Sequence, residues 1–319
     1  MSLQPFFTIS LDFELLWGVF PEKLIKNYGQ NILGGRKSIP LMLELFKKYN
    51  IHATWATVGM ASFESKKELL NYLPDAKPDY KNKHLDPYRH LSCVGTNERD
   101  DPYHFGYSLI QQIIDTDGME IASHTFSHFY CLEKHDDGAF IADLESASHA
   151  FKRLNLAPES IIFCRNQYSD YHLQIAKNMG FKAYRGNENH FLHRPRDKHN
   201  LVVRGLRLLD NYVNIAGNQV SSLTLTNCGL YNIPSSRFLR PWIKNISLEK
   251  LRLNRIKNSM LAAAKQGKGF HLWWHPHNFG KNVRENLHVL CEVLEFYNKL
   301  KVEYGMASLT MSEVRERSL

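Results

Sequence analysis

The stretch Phe6-Phe7-Thr8-Ile9-Ser10-Leu11 predicts a buried strand, and Asp12-Phe13-Glu14 follows it directly. Side chains two residues apart in an extended chain point to the same side, so Asp12 and Glu14 can share one pocket. Two neighbouring carboxylates repel each other unless a cation or a proton lies between them. Taken alone, the pattern is more typical of loop or N-cap residues after a strand.

This strand opens a series of alternating strands and helices. Apolar, β-branched runs predict strands and helical periodicity predicts helices; the further strands are 51–58, 119–123, 160–164, 181–184 and 270–274, and the helices are 39–49, 139–154, 171–179, 248–265 and 282–300. Ser247 is the expected N-cap of the fourth helix, and Gly180 and Gly267 are the expected helix ends. Repeated strand–helix units predict a parallel sheet with helices outside it. Periodicity does not show whether that sheet closes into a barrel.

Two regions interrupt the alternation. Residues 73–105 are polar and rich in His, Tyr and Asp, which fits either a lid over a site or an unstructured surface insertion. Residues 185–240 are irregular, with short β-like runs at 201–203 and 222–226. Neither region marks a domain boundary, so residues 1–319 are interpreted as one domain with an insertion after the second strand.

The composition is that of an ordinary globular protein, with 43% hydrophobic and 23% charged residues. No stretch approaches the roughly 18 apolar residues that a membrane span needs. Met1-Ser2-Leu3-Gln4-Pro5 lacks the layout of a signal peptide, so a cytoplasmic location is expected. The net charge of +8 favours anionic partners in general. The five cysteines form no Cys-x-x-Cys pair, so they are interpreted as buried small hydrophobes.

Three further segments place polar side chains after predicted strands, where sites form in parallel sheets. His124-Thr125-Phe126-Ser127-His128 brings two imidazoles to one face if the segment turns helically, and neutral imidazoles bind zinc and related metals. In Cys164-Arg165-Asn166-Gln167-Tyr168 the arginine can hold a carboxylate, or lie in a surface loop. His275, which closes an apolar strand before Pro276, can donate a proton near neutral pH.

Together these four elements resemble the polysaccharide deacetylases of the NodB-homology, carbohydrate esterase family 4 type, and they occur in that family's order. The closing segment 304–310 with Glu313 resembles the family's last strand and helix. The resemblance implies an α/β fold, a distorted (β/α) barrel of about seven strands. It also implies a divalent metal, usually Zn²⁺, with Co²⁺ or Ni²⁺ as alternatives. Carried over residue by residue, it implies that Asp12 is the general base and that His124 and His128 are metal ligands. It further implies that Arg165 orients the base, that the backbone N–H near Tyr168 is an oxyanion donor, and that His275 is the general acid.

The sequence departs from the family pattern in four places. Position 13 is Phe where most members have a second Asp, so Glu14 would supply the third metal ligand, as in the family's Asp-x-Glu variants. The arginine segment lacks the usual prolines, and Pro276 stands where an Asp is common. No clear match exists for the family's Asp-Trp motif, which tunes the general-acid histidine. Glu188 and Asp210 are the candidates to replace the Asp of that motif.

The resemblance implies a metal-dependent hydrolase that removes an N-acyl group, in the first place N-acetyl, from an amino sugar of a surface glycan or its precursor. Basic clusters at 194–207 and 237–257 would suit a diphosphate-linked carrier, or they form a solvated face. The alternatives are a deformylase or another metal-dependent amidase on the same fold, and an inactive sugar-binding homologue. A nucleic-acid binder is disfavoured because no recognisable module accompanies the basic composition.

Overall fold

The computed structural model describes residues 4–135, 137–188, 190, 192 and 201–317. The strands within these residues are β1 (Phe6–Phe13), β2 (Ala53–Thr57), β3 (Met119–Ser123), β4 (Ser160–Ile161), β5 (Ala183–Tyr184), β6 (Thr224–Leu225), β7 (Tyr231–Asn232), β8 (Arg237–Phe238), β9 (Gly269–Trp274) and β10 (Ala307–Ser308). The α-helices are α1 (Ile25–Tyr49), α2 (Lys66–Leu70), α3 (Pro87–His90), α4 (Tyr107–Ile114), α5 (Asp137–Lys152), α6 (Asp170–Asn178), α7 (Leu201–Leu209), α8 (Ile246–Gln266), α9 (Val283–Tyr304) and α10 (Met311–Glu316).

The strands form one sheet in the order β6-β7-β5-β4-β3-β2-β1-β9-β8, with β10 paired to the start of β1. The ladders are parallel except that between β6 and β7. The predicted α/β barrel-type fold is therefore confirmed. The parallel series has more strands than expected because β7 and β8 lie in the region that looks irregular in sequence. Since these strands run in one direction, their carboxyl ends meet at one rim.

β1 lies at the centre of the sheet and is buried along its whole length. Its neighbours β2 and β9 pair with it over five and six residues, so the segment that carries Asp12 is held from both sides. Apolar side chains on both faces form the core, including the fully buried Trp55 and Trp274. This central position explains why the strand has no polar face: neither side meets water.

The first helix is longer than predicted. α1 begins at Ile25 rather than Ile39 and continues through Pro40, which is tolerated inside it. Residues 201–203, which resemble a strand, begin the helix α7. The fourth predicted helix, α8, is capped by the Asn245 side chain, which accepts a hydrogen bond from the Leu248 N–H, and not by Ser247; Gly267 ends it as expected. Residues 194–200 of the predicted basic cluster lie outside the described residues.

The insertion lies between β2 and β3, as predicted, and it is structured, with the short helix α3 and two 3₁₀ turns. Tyr80, Leu85 and Tyr130 form a buried apolar cluster that joins it to the main body. Near its end, the His104 carbonyl accepts a hydrogen bond from Trp17 Nε1 at 2.8 Å. The insertion therefore supports the segment that follows β1. No helix in the described part of the chain combines the length and the apolar character needed to cross a bilayer.

Candidate active site

Asp12 lies at the end of β1 with only 3% of its surface exposed, and Arg185 holds it from the end of β5. Arg185 Nη1 donates to Asp12 Oδ1 at 2.7 Å and Nη2 donates to Oδ2 at 2.8 Å. The remaining guanidinium N–H groups donate to Ser10 Oγ and Asn166 Oδ1, so all five donors have acceptors. Burial alone would raise the pKa of Asp12, but the charge and hydrogen bonds of Arg185 hold this pKa below its ordinary value.

The structure does not bring Arg165, the predicted orienting arginine, to Asp12. Arg165 lies after β4 with φ at 56°, its Nη2 is 3.6 Å from Glu22 Oε1, and its Cζ lies 4.4 Å from the centre of the Tyr130 ring. It lines the active-site cavity, while the buried bidentate contact is made by Arg185. A usable signal for Arg185 existed in the sequence, because it directly follows a predicted strand of the same parallel sheet.

Behind Asp12, Ser10 and His271 extend the hydrogen-bond network. Ser10 Oγ accepts from Arg185 Nη1 at 2.9 Å and lies 2.8 Å from His271 Nε2. Burial and the charge of Arg185 lower the pKa of His271 to about 3, so the ring is neutral. Its Nδ1 lies 3.3 Å from the Ile233 carbonyl and donates there, which leaves Nε2 to accept the Ser10 hydroxyl proton. This network fixes the orientation of the arginine, and the sequence analysis missed it.

Glu14 lies between the two histidines of the predicted pair. Its Oε2 is 3.2 Å from His128 Nε2 and 3.5 Å from His124 Nε2. The segment is not helical: Thr125 and His128 have φ of 63° and 59°, yet the two imidazole centres lie 5.1 Å apart. His124 Nδ1 donates to the Ile162 carbonyl at 2.7 Å, so the lone pair of its Nε2 faces the carboxylate.

The three side chains fit a divalent metal. The Nε2 atom of His124 is buried and has no hydrogen-bond partner among the described residues, which is costly unless a cation binds there. Two imidazoles and one carboxylate form a donor set that suits zinc and leaves coordination positions open. Burial raises the pKa of Glu14 and the facing His275 lowers it; the net direction is well below the ordinary value of this group.

Cys164 offers a second ligand combination. One ligand atom each from His124, His128 and Cys164 lie within 4.8 Å of one another. The Cys164 sulfur is fully buried, 3.4 Å from the His124 carbonyl oxygen and 3.6 Å from Thr125 Oγ1. Cys164 does not line the cavity in front of the histidines, whereas Glu14 and His128 do. A metal that must meet a substrate therefore fits the Glu14 side.

His275 follows β9 and faces both carboxylates across the cavity. Its Nε2 is 3.6 Å from Asp12 Oδ2 and 3.7 Å from Glu14 Oε1, and its Nδ1 is 3.3 Å from Asn278 Oδ1. His277, which had no predicted role, stacks on it with ring centres 5.0 Å apart. The cavity measures about 360 Å³, and Phe238 and Trp273 contribute its aromatic wall.

The remaining predicted residues lie outside this cluster. The Tyr168 ring packs against Phe163 and Tyr184, and its segment reaches the cavity through Arg165 and Asn166. Asp210 does not take the place of the missing partner of His275: its carboxylate lies 3.1 Å from Arg237 Nη1 and 3.5 Å from Arg255 Nη2. Asn278 is the side chain that lies at His275 Nδ1.

Comparison with known proteins supports this interpretation of the fold. Residues 29–184 match the family model described as polysaccharide deacetylase. A protein described as a polysaccharide deacetylase from Mycobacterium smegmatis superposes with a TM-score of 0.59 at 12% identity, over 99% of this chain and 91% of that one. Another protein described as a polysaccharide deacetylase, from Pseudomonas aeruginosa, superposes with a TM-score of 0.58 at 10% identity, over 98% of this chain and 89% of that one. An allantoinase superposes with a TM-score of 0.57 at 11% identity, over 98% of this chain and 89% of that one.

No curated protein matches the sequence. The solved structures are too distant in sequence to show more than the fold, while the family model matches the segment that carries both histidines. Residues 29–184, just under half of the chain, are thus similar to the polysaccharide deacetylase family.

Proposed function

We propose that this protein is a metal-dependent hydrolase that removes an N-acyl group, in the first place N-acetyl, from an amino sugar. The observation that carries the proposal is the meeting of three functional units at one cavity: the Asp12–Arg185 pair, the Glu14–His124–His128 cluster and His275. Their residues come from the carboxyl ends of four strands of one sheet, β1, β3, β5 and β9. A scaffold that only bound sugar would not require all three.

Glu14, His124 and His128 would hold the metal. When bound, it would supply Lewis acidity for the acyl carbonyl and for a water molecule. The unpartnered Nε2 of His124 and the adjacent Glu14 carboxylate are the atoms that support this assignment. Zinc fits the donor set, and cobalt or nickel would be accepted by the same ligands.

The protein's own residues supply the proton transfers. Asp12, kept ionised by Arg185, is the proposed general base that takes a proton from the attacking water. His275, on the other side of the cavity, is the proposed general acid that protonates the leaving amine. A backbone N–H of the segment from Arg165 to Tyr168 is the proposed oxyanion donor.

The cavity suits one sugar unit. Its volume of about 360 Å³ falls within the range of small-ligand pockets. Phe238 and Trp273 offer ring faces on which a pyranose can stack. The acyl group itself is not specified by these contacts, so N-formyl sugars and a ureide belong in the substrate panel; the allantoinase among the structural neighbours gives the reason for the ureide.

Metal content of purified protein, measured by mass spectrometry after loading with Zn²⁺, tests the ligand set. We expect about one ion per chain in the wild type, as for a site with three protein ligands, and loss of the ion in His124→Ala and Glu14→Gln. Cys164→Ala is the matched control, since it alters a buried neighbour of the same histidines. Its ion content should not change. Loss of the ion in Cys164→Ala but not in Glu14→Gln would overturn the assignment.

Release of free acid from N-acyl sugars by the loaded wild type then tests the reaction. Asp12→Asn and His275→Gln should bind the ion but lose activity by about 10²–10⁴-fold, the usual contribution of a general acid or base. A fully loaded protein that binds N-acyl sugar but releases no acid from any member of the panel would contradict the proposed function and favour a sugar-binding homologue.

A further inference from the structure

A second cavity of about 390 Å³ adjoins the candidate active site. The two cavities share Phe238 and Trp273 as a wall, and Arg165 and Asn166 border both. A ligand whose amide lies beside His275 can therefore extend past this wall without leaving the protein surface. The second cavity differs in character from the first, because its described lining contains four arginines beside three carboxylates, Glu22, Glu188 and Asp210, and no histidine.

Arg237 is the most informative of these arginines. It is 5% exposed, and its Nη1 donates to the carbonyl and the carboxylate of Asp210 at 3.2 and 3.1 Å. Its Nε and Nη2 are buried and have no hydrogen-bond partner among the described residues. These two nitrogens form one edge of the planar guanidinium, the edge that binds two oxygens of a single anion. Leaving both donors unsatisfied in a buried position is costly, so the geometry points to a missing acceptor.

The charge around Arg237 is not balanced by Asp210. The Asp210 carboxylate also lies 3.5 Å from Arg255 Nη2, and its Oδ1 accepts the N–H groups of Ile215 and Ala216 at 3.0 and 2.7 Å. One carboxylate thus serves two guanidinium groups. Arg240 adds another buried Nε without a hydrogen-bond partner to the same lining. Three buried N–H groups, two of Arg237 and one of Arg240, therefore lack an acceptor among the described residues.

We propose that this cavity binds a phosphoryl group carried by the amino-sugar substrate. The proposal rests on the proposed function and specifies its substrate class: an N-acyl amino sugar bearing a phosphate ester. Arg237 takes two oxygens along its free edge, and Arg240 takes a third. A phosphoryl group has enough oxygens for this set of donors, whereas a carboxylate has only two.

The test is isothermal titration of metal-free protein with four probes: N-acetylglucosamine, its 1-phosphate, its 6-phosphate, and glucuronic acid. At least one phosphorylated sugar should bind about tenfold or more tightly than the free sugar, a difference of about 1.4 kcal/mol. The uronic acid should gain less. Equal affinity for all four probes would overturn the proposal. Because the metal-free protein is used, this result does not depend on hydrolysis; the proposed function fails separately if loaded protein releases no acid.

Variants identify the donors. Arg237→Gln and Arg240→Gln should each abolish the preference for the phosphorylated sugar while leaving the affinity for the free sugar unchanged. Arg240→Gln still tests the site if the loss of Arg237 disturbs the fold through its contact with Asp210. Arg204→Gln is the matched control, because Arg204 is an exposed arginine on α7, the helix that also carries Arg207. A preference retained in both Arg237→Gln and Arg240→Gln, or lost equally in Arg204→Gln, would contradict the assigned site.

A further probe separates the two sources of such a phosphate. An undecyl ester of the same sugar phosphate, presented in phosphatidylcholine vesicles, is compared with the soluble compound. α7, whose Arg207 lines the cavity, exposes Val202 and Leu209 at 67% and 52% of their surface. Tighter binding of the alkyl ester identifies a lipid-linked source, and equal binding identifies a soluble one. Both results support a phosphoryl site, and failure of both compounds to bind more tightly than the free sugar counts against it.

Discussion

The Asp12–Arg185 pair is the most constrained contact of the site. Both residues are buried, and each guanidinium N–H has an acceptor in Asp12, Ser10 or Asn166. Trp273 covers the guanidinium, with Arg185 Cζ 4.3 Å from its ring centre. A charge buried in this way is tolerated only while its partner remains. The pair therefore fixes the carboxylate in one position and one ionisation state.

Removing one partner of this pair should destabilise the protein more than removing both partners. We expect Arg185→Gln to lower the free energy of unfolding by about 3–5 kcal/mol, because Asp12 stays buried without a counter-charge. The double variant Asp12→Asn/Arg185→Gln should recover much of this loss and still be inactive. Urea denaturation and acid release from substrate measure the two effects.

Arg165→Gln serves as the control for that experiment. Its guanidinium is partly exposed and lies 3.6 Å from an exposed glutamate, so stability should change by less than about 1 kcal/mol. A larger loss in Arg165→Gln than in Arg185→Gln would show that the buried pair is not the anchor of the site.

At the scale of elements, helix α1 and the turn that follows β9 touch backbone to backbone. Glycines make this possible: a Cβ on Gly34 would overlap the carbonyl of Gly280, and a Cβ on Gly35 would lie 2.7 Å from His277 Cα. The turn Pro276–Phe279 carries His277 and directly follows His275. The helix therefore sets the position of both imidazoles relative to the carboxylates.

A methyl group at this contact should be harmful. Gly34→Ala should lower the free energy of unfolding by about 1–3 kcal/mol, the usual cost of overpacking, and should lower kcat/KM because the turn must move. Gly205→Ala is the control: Gly205 lies in helix α7 with open space around it, so alanine should stabilise by about 0.5–1 kcal/mol. Thermal or urea unfolding checks both, and a neutral Gly34→Ala would show that the contact can relax.

The same glycines explain an error of the sequence interpretation. Gly29, Gly34 and Gly35 are poor helix residues, so the pattern predicts a helix only from residue 39. In the structure, close packing against the turn outweighs this low propensity, and α1 begins at Ile25. Propensity is local, whereas the reason for the glycines lies more than two hundred residues away along the chain.

At the scale of the whole molecule, parallel strand direction made much of the site predictable. Residues that directly follow strands meet at one rim, which is why Asp12, Glu14, His124, His128 and His275 could be expected to lie together. The choice between Arg165 and Arg185 could not be made in this way, because both follow strands. That choice depends on where the two arginine side chains point after β4 and β5, and hydrophobic periodicity does not predict this. The short strands β7 and β8 were missed for a related reason, because a strand of two residues is too short to show a hydrophobic period.

His271 links the site to the acid stability of the whole fold. The unfolded chain protonates this histidine near its ordinary pKa of about 6.5, whereas burial and Arg185 lower the pKa in the folded chain to about 3. Between these values the unfolded state binds more protons, so the free energy of unfolding falls as the pH decreases. The contribution reaches about 1.4 kcal/mol per pH unit.

Replacing this ring should flatten the pH dependence. His271→Gln keeps an acceptor near Ser10 but does not titrate, so its free energy of unfolding should fall less steeply than that of the wild type from pH 6.5 to 4.5. Urea denaturation of metal-free protein at several pH values isolates this effect, because metal binding itself depends on pH. His288→Gln is the control, since that side chain is 75% exposed and should leave the wild-type slope unchanged. If His271→Gln and wild type fell in parallel, His271 would have to be protonated in the fold, and Ser10 could not then donate to it while accepting from Arg185.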